Sequence, residues 1–128
     1  VVAYAVCDDA DWFHRRVTSD WEASLARWPQ LPEIDLMPQT RDHSVGPGYG
    51  RAEASVYELI AELAQLEGIV LDPVYTGKAF HGLLTDLRDG FYQNVDDIIF
   101  VHTGGVFGLF AHEPQLMSAA SGANSLQR

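Results

Sequence analysis

Two polar turns carry the residues whose types and spacing best suit chemistry. The first lies in residues 71–79 and contains Tyr75 and Thr76, and the second lies in residues 101–105 and contains Thr103. Each turn follows an apolar run that is typical of a strand and precedes a pattern that is typical of a helix. Open α/β sheets place their ligand sites at turns of this kind, so we predict one site built from both turns.

Two tyrosines are the candidates for proton transfer. A phenol can relay a proton or hold a substrate carboxylate by a hydrogen bond. Tyr75 lies in the first turn, and Tyr49 lies in the glycine-rich residues 46–50. Without other information, Tyr75 is better interpreted as a half-buried side chain at a strand end, with its hydroxyl bonded to backbone.

Other residues of the two turns have competing interpretations. Gly104 and Gly105 would let the backbone approach a ligand closely, and a glycine pair at a helix start can also hold an anion. Thr76 is suited to cap the helix that follows it, and this role is compatible with a ligand contact. Neither pattern is specific by itself.

No metal site is predicted. The histidines show no metal-ligand spacing with one another or with the single cysteine, Cys7. We interpret His102, at the end of a predicted strand, as a core histidine with satisfied hydrogen bonds, and Cys7 as a small buried apolar residue. The five histidines are His14, His43, His81, His102 and His112.

The first half of the chain predicts a strand, a helix, a loop and a second helix. The apolar residues 1–6 predict a buried parallel strand, and Asp8 or Asp9 is the expected N-cap of the helix that follows. Pro29 should end that helix. The remaining predicted ranges are a loop at 30–50 with a short strand at 34–37, and an amphipathic helix at 52–66 stopped by Gly68.

The second half alternates apolar runs with helical patterns. These runs predict strands and helices in turn, which indicates an α/β fold with a partial open, mostly parallel sheet and flanking helices. The predicted ranges are a short strand at 69–71, a helix at 77–88 closed by Gly90, a second buried strand at 98–102, a helix at 104–112 and a frayed tail at 118–128.

Composition limits the classes of partner. The formal net charge is −10 and no basic run occurs, which argues against nucleic acid and anionic membranes as partners. A single cysteine excludes an internal disulfide and favours a reducing compartment, cytoplasmic or mitochondrial. No apolar run has the length of a membrane span. Because the chain begins inside an apolar run at Val1, we expect a truncated N-terminus.

Three motifs together resemble one enzyme family. The sequences DPVYTGKA (residues 72–79) and HTGG (residues 102–105), supported by GPGYG (residues 46–50), resemble the D-cysteine desulfhydrase and 1-aminocyclopropane-1-carboxylate (ACC) deaminase family. VCDD (residues 6–9) and GGVFGL (residues 104–109) are similar to its eukaryotic, plant-like desulfhydrases. The resemblance implies a tryptophan-synthase-β-like fold and pyridoxal 5'-phosphate (PLP) as the cofactor.

The resemblance also implies which residues are missing. Lys78 is the only lysine of the sequence, and the family's motif gives this lysine no part in binding the cofactor. The Schiff-base lysine and the phosphate loop are therefore expected upstream of Val1. Residues 1–128 would form the C-terminal portion of the large domain of a longer protein, for which we expect a homodimer and a small amino-acid substrate.

The resemblance assigns roles to five residues. Tyr75 and Tyr49 match active-site tyrosines, and Thr103, Thr76 and Gly104 match neighbours of the cofactor. ACC deaminases carry glutamate and leucine where this sequence has Thr76 and Thr103, whereas D-cysteine desulfhydrases carry small hydroxyl residues at both positions. The resemblance therefore favours D-cysteine desulfhydrase, with ACC deaminase or a non-catalytic α/β half-domain as the alternatives.

Overall fold

The computed structural model describes residues 1–32 and 38–123. None of the helices within these ranges is both long enough and apolar enough to cross a membrane. The elements, in chain order, are β1 Val2–Tyr4, α1 Ala10–Arg27, β2 Gln39–Arg41, α2 Ala54–Glu67, α3 Thr76–Arg88, a 3-10 helix Val106–His112 and α4 Glu113–Ala123.

The two strands form a parallel pair. Val2 aligns with Gln39 and Tyr4 with Arg41, and this confirms the predicted α/β class with a parallel sheet. β1 is shorter than the predicted strand 1–6 and is half-buried, not buried. The predicted strand at 34–37 lies outside the described residues, and β2 follows it directly in sequence.

Helix boundaries follow from local capping chemistry. Asp9 is the N-cap of α1, where its carboxylate accepts the backbone N–H of Trp12 at 2.7 Å, which settles the choice between Asp8 and Asp9. α1 ends at Arg27, just before Pro29, because a proline disfavours helical geometry in the preceding residue. Gly68 ends α2 with φ +68°, as predicted for a left-handed C-cap.

The hydrophobic core lies between α2 and the residues that lead into α3. Val56, Ile60 and Leu71 form its fully buried centre, and Phe80 of α3 and Leu116 of α4 pack against it. α4 lies along α2. α4 extends to Ala123, so residues 118–123, which were predicted to belong to a frayed tail, are helical.

Two predicted strands are absent from the described residues. Residues 98–102 adopt no regular structure, and Ile99 and Val101 are 88% and 71% exposed, so the prediction of a second buried strand is wrong for this chain. Residues 69–71 form no strand either. A strand needs a neighbouring strand to satisfy its backbone groups, and no described strand lies beside either run. The predicted helix at 104–112 begins at Val106 and is a 3-10 helix.

Asp86 ties α3 to both strands. Its carboxylate is 1% exposed and accepts hydrogen bonds from Arg41 Nη2 at 2.7 Å and from the Tyr4 hydroxyl at 2.8 Å. Burial alone would raise the pKa of Asp86, but the hydrogen bonds from Arg41 and Tyr4 and the charge of His43 outweigh it and lower the pKa below its ordinary value.

Replacing Asp86 by Asn should destabilise the chain by about 1.5–3 kcal/mol at neutral pH, because charged hydrogen bonds are lost. The pKa of Asp86 is lower in the folded state than in the unfolded state, so unfolded chains bind more protons between the two values. The stabilisation is therefore present above the unfolded pKa and is lost as pH falls through the folded pKa. Urea unfolding at neutral and at acid pH should show the difference between variant and wild type shrinking in acid.

Asp20→Asn is the matched control. It removes an exposed ion pair, Arg16 Nε to Asp20 Oδ2 at 3.0 Å, which should change stability by no more than about 0.5 kcal/mol. Equal effects of the two substitutions would contradict the structural role of Asp86.

Candidate active site

Asp72 builds the first turn. Its side chain is fully buried, and Oδ1 accepts the backbone N–H groups of Val74 at 2.8 Å and Tyr75 at 2.7 Å. Oδ2 accepts the backbone N–H of Thr76 at 2.9 Å and its hydroxyl at 2.6 Å. The backbone donors lie at the start of α3 and in the two residues before it, so Asp72 caps the helix.

Thr76 is the first residue of α3 and does not cap it. It is 2% exposed, and its hydroxyl donates to Asp72 and accepts the Asp72 backbone N–H at 2.9 Å. A hydroxyl has one proton to donate, so Thr76 has none left for a ligand in this arrangement. The predicted contact between Thr76 and a cofactor stays a prediction.

The turn requires glycine after Thr76. A Cβ on Gly77 would lie 2.6 Å from the Asp72 carbonyl oxygen and 2.9 Å from Cδ1 of Ile60. The Gly77 N–H instead donates to that carbonyl at 2.7 Å. The absence of a side chain at Gly77 therefore allows the first turn of α3 to pack closely against the core residue Ile60.

Lys78 is buried in the first turn of α3 with an exposed fraction of 1%. Its ammonium donates to three backbone carbonyls: Val6 at 3.0 Å, Val45 at 2.8 Å and Gly48 at 2.7 Å. Burial lowers the pKa of Lys78 from its ordinary value. All three protons of the ammonium are committed, which agrees with the prediction that Lys78 is structural.

Tyr49 and Tyr75 meet, although 26 residues separate them. Their hydroxyl oxygens lie 2.5 Å apart and their rings are edge-on, with centroids 6.0 Å apart. Tyr49 is 64% exposed and Tyr75 is 42% exposed. The hydrogen bond shared with Tyr49 is the main reason that the pKa of Tyr75 is raised, so Tyr75 stays protonated at neutral pH.

The second turn packs on the first through Gly105. Gly105 has φ +91°, and a Cβ there would lie 2.5 Å from Asp72 Oδ2. His102 fixes the same turn: its Nδ1 accepts the Gly104 N–H at 3.0 Å, which leaves Nε2 to donate to the Val70 carbonyl at 3.0 Å. Both nitrogens are satisfied, as predicted, but His102 is exposed and not part of the core.

Thr103 and Gly104 lie on the open side of the second turn. Thr103 is exposed and makes no hydrogen bond to another residue of the described ranges. No atom lies within 4 Å of the position that a Cβ on Gly104 would take. Among the predicted site residues, Tyr49 and Tyr75 are therefore in contact, and the two turns pack against each other at Asp72. Thr76 faces the interior, whereas Thr103 faces outward.

Asp72 is the residue whose importance the sequence analysis missed. The available signal was its position: an aspartate before Pro73 and four residues before Thr76 is suited to accept N–H groups from a following turn. Asp72 is not itself accessible to a ligand, because its side chain has no exposed surface.

The described residues contain no group of three or more His, Cys, Asp or Glu side chains placed to hold a metal ion. Cys7 is half-buried, and its thiol donates to Asp8 Oδ2 at 3.0 Å, which corrects its interpretation as a buried apolar residue. The hydrogen bond to Asp8 raises the pKa of Cys7, so its thiolate form is disfavoured.

Comparison with known proteins finds relatives of two names. A protein of Thermotoga maritima provisionally named 1-aminocyclopropane-1-carboxylate deaminase is 44% identical over 72 residues, which cover 56% of this chain and 22% of that protein. A protein of Pyrococcus horikoshii with the same provisional name is 41% identical over 86 residues, 67% of this chain and 26% of that protein. A D-cysteine desulfhydrase of Klebsiella pneumoniae is 47% identical over 75 residues, 59% of this chain and 23% of that protein.

A crystal structure of an ACC deaminase homologue has the same fold. It superposes with a TM-score of 0.76 at 31% identity and covers 92% of this chain and 35% of that one. No family model matches the chain. The chain spans about a quarter of the length of the curated relatives it matches. These similarities confirm the resemblance to the ACC deaminase and D-cysteine desulfhydrase family.

Gly105→Ala should destabilise the chain more than Gly104→Ala. Both residues have positive φ, +91° and +95°, so both variants carry similar backbone strain, roughly 1–2 kcal/mol. Only the methyl at position 105 meets the Asp72 carboxylate, which should add about 1–3 kcal/mol. Urea unfolding of both variants measures the difference. Equal losses of stability would contradict the packing of the second turn on Asp72.

Proposed function

We propose that this chain is the C-terminal portion of the large domain of a PLP-dependent lyase, and that its substrate is D-cysteine. The reaction would be α,β-elimination to pyruvate, hydrogen sulfide and ammonia. The observation that carries the proposal is the Tyr49–Tyr75 pair, exposed beside a turn whose Thr103 hydroxyl is free to meet a ligand.

The residues fit the cofactor in part. The open space at Gly104 and the exposed Thr103 hydroxyl suit contact with a flat, polar ring. Lys78 does not suit covalent attachment, because it is buried and its three protons are bonded to backbone. A covalent lysine would have to come from a segment outside this chain. When bound, PLP withdraws electrons from the substrate Cα and so allows the β-substituent to leave.

The tyrosine pair would hold or move a proton next to the substrate. One phenol donates to the other, so one hydroxyl proton of the pair remains available to a ligand. Because the pKa of Tyr75 is raised, the pair should act as a donor at neutral pH and not as a base. A donor there would bind the substrate carboxylate or protonate a developing anion.

Thr103 would favour elimination over ring opening. A neutral hydroxyl can donate to an unprotonated ring nitrogen, whereas a carboxylate keeps that nitrogen protonated and strengthens the electron sink. A thiolate is a good leaving group and needs less electron withdrawal than the carbon that leaves when a cyclopropane opens. The neutral Thr103, with Thr76 turned inward, therefore suits D-cysteine better than ACC.

Two alternatives have observations of their own. ACC deamination is favoured by the two relatives that bear this name provisionally, at 44% and 41% identity. A non-catalytic half-domain is favoured by the buried Lys78. A homodimer of the longer protein and an intracellular compartment stay predictions.

Sulfide release from D-cysteine and ammonia release from ACC, measured on the longer protein that carries these residues, test the proposal. We expect turnover of D-cysteine and little of ACC. Tyr75→Phe should lower kcat by about 100-fold, because a proton donor is lost while the ring remains. Turnover of ACC without turnover of D-cysteine would reject the substrate assignment.

The 128-residue chain, mixed with PLP and reduced with borohydride, should gain no stoichiometric adduct on Lys78. Its buried ammonium would have to break three hydrogen bonds to react. Peptide mapping by mass spectrometry locates any adduct, and the exposed α-amine of Val1 serves as the internal control for reactivity. Stoichiometric labelling of Lys78 would contradict its structural assignment.

A further inference from the structure

We infer that Lys78 is a positioning residue for the tyrosine pair: its ammonium holds the loop that carries Tyr49 onto α3, so that the two phenols meet. The catalytic meaning of this inference rests on the proposed function. Its structural content does not, because it concerns only residues of this chain.

The geometry connects the two tyrosines through one side chain. Lys78 lies three residues after Tyr75, in the first turn of α3. Its ammonium reaches across to the carbonyl of Gly48, the residue next to Tyr49, at 2.7 Å, and to that of Val45 at 2.8 Å. The same ammonium therefore fixes the loop relative to the helix that carries Tyr75.

At the start of the loop, Asp42 Oδ2 accepts the Ala10 N–H at 3.0 Å and His43 Nε2 lies 3.5 Å from Asp86 Oδ1. The backbone nearer to Tyr49 has few other restraints. Its two backbone hydrogen bonds, from Val45 to Asp42 and from Arg51 to Gly48, are both 3.3 Å long, beyond the usual range. Tyr49 is 64% exposed, so burial does not fix its ring either. Lys78 thus makes the shortest hydrogen bonds to the backbone beside Tyr49 among those of the described residues.

A solely structural role and a positioning role predict different results. If Lys78 only stabilises the fold, its loss should lower stability and leave the tyrosine pair unchanged in the molecules that remain folded. If Lys78 positions Tyr49, its loss should separate the phenols. Removing a nearby positive charge would by itself raise the pKa of a tyrosine, whereas loss of the pairing should lower the pKa of Tyr75.

The experiment measures the pKa of Tyr75 by NMR on the chain labelled with ¹³C at the tyrosine ζ carbon. Tyr75→Phe and Tyr49→Phe assign the two resonances, and Tyr49→Phe gives the value for an unpaired Tyr75. In Lys78→Met the pKa of Tyr75 should fall to this value. The double variant Lys78→Met/Tyr49→Phe should show no further fall, since both changes break the same hydrogen bond.

Leu83→Ala is the control for stability. Leu83 is buried on the same helix, and its truncation should lower the stability of the chain without removing a hydrogen bond to the loop. It should leave the pKa of Tyr75 unchanged. A folded Lys78→Met variant whose Tyr75 pKa is unchanged or raised would overturn the inference.

Gly48→Ala keeps the test decisive if Lys78→Met does not fold. Gly48 has φ +109° and no atom within 4 Å of a new Cβ, so the substitution strains the peptide without a clash. The strain should turn the Gly48 carbonyl away from the ammonium and lower the pKa of Tyr75, while Lys78 stays in place. An unchanged Tyr75 pKa in this folded variant would also overturn the inference. No substrate is involved, so failure of the D-cysteine assay leaves this result standing.

Discussion

One buried ammonium joins α3 to two other stretches of backbone. Lys78 binds the carbonyl of Val6 after β1 and the carbonyls of Val45 and Gly48 in the loop after β2. Transferring a cation out of water is expensive unless its protons are all bonded, and here each proton has its own acceptor. Without Lys78 these carbonyls would lose their charged donor, and the part of the loop next to Tyr49 would lose these hydrogen bonds to α3.

α3 is held near both ends by buried carboxylates. At the N-terminus the Asp72 carboxylate accepts N–H groups that the helix leaves unpaired, which also suits the positive end of the helix dipole. Near the C-terminus Asp86 faces the unfavourable end of the dipole, and Arg41 compensates it by two hydrogen bonds. The C-terminal end of the helix is thereby fixed to the sheet and its N-terminal end to the second turn, and Tyr75 is placed by Asp72 at the N-terminal end.

The features that the sequence predicted correctly are those that depend on residues close together along the chain. The caps at Asp9 and Gly68 and the periods of α2 and α3 follow from neighbouring residues, and the structure has them. The strand expected at 98–102 required a neighbouring strand, which no local pattern reveals. The three carbonyl partners of Lys78 lie 30 to 72 residues away in sequence, so only the folded chain identifies them. The family resemblance implied that Tyr49 and Tyr75 belong to one site, whereas their mutual hydrogen bond is identified only by the folded chain.

The proposed ligand site depends on which side chain stands at position 76. Threonine is short and neutral, so its hydroxyl turns inward to the Asp72 carboxylate and strengthens the helix cap. A glutamate at this position, which the resemblance associates with ACC deaminases, would be repelled by the same carboxylate and directed to the open side next to Tyr75. The direction of the side chain at position 76 would therefore depend on its charge: a neutral side chain turns towards the Asp72 carboxylate, and an acidic one would turn away from it. A neutral residue becomes part of the scaffold and, in the proposed site, would leave Thr103 to meet the ligand, whereas an acidic residue would become part of that site.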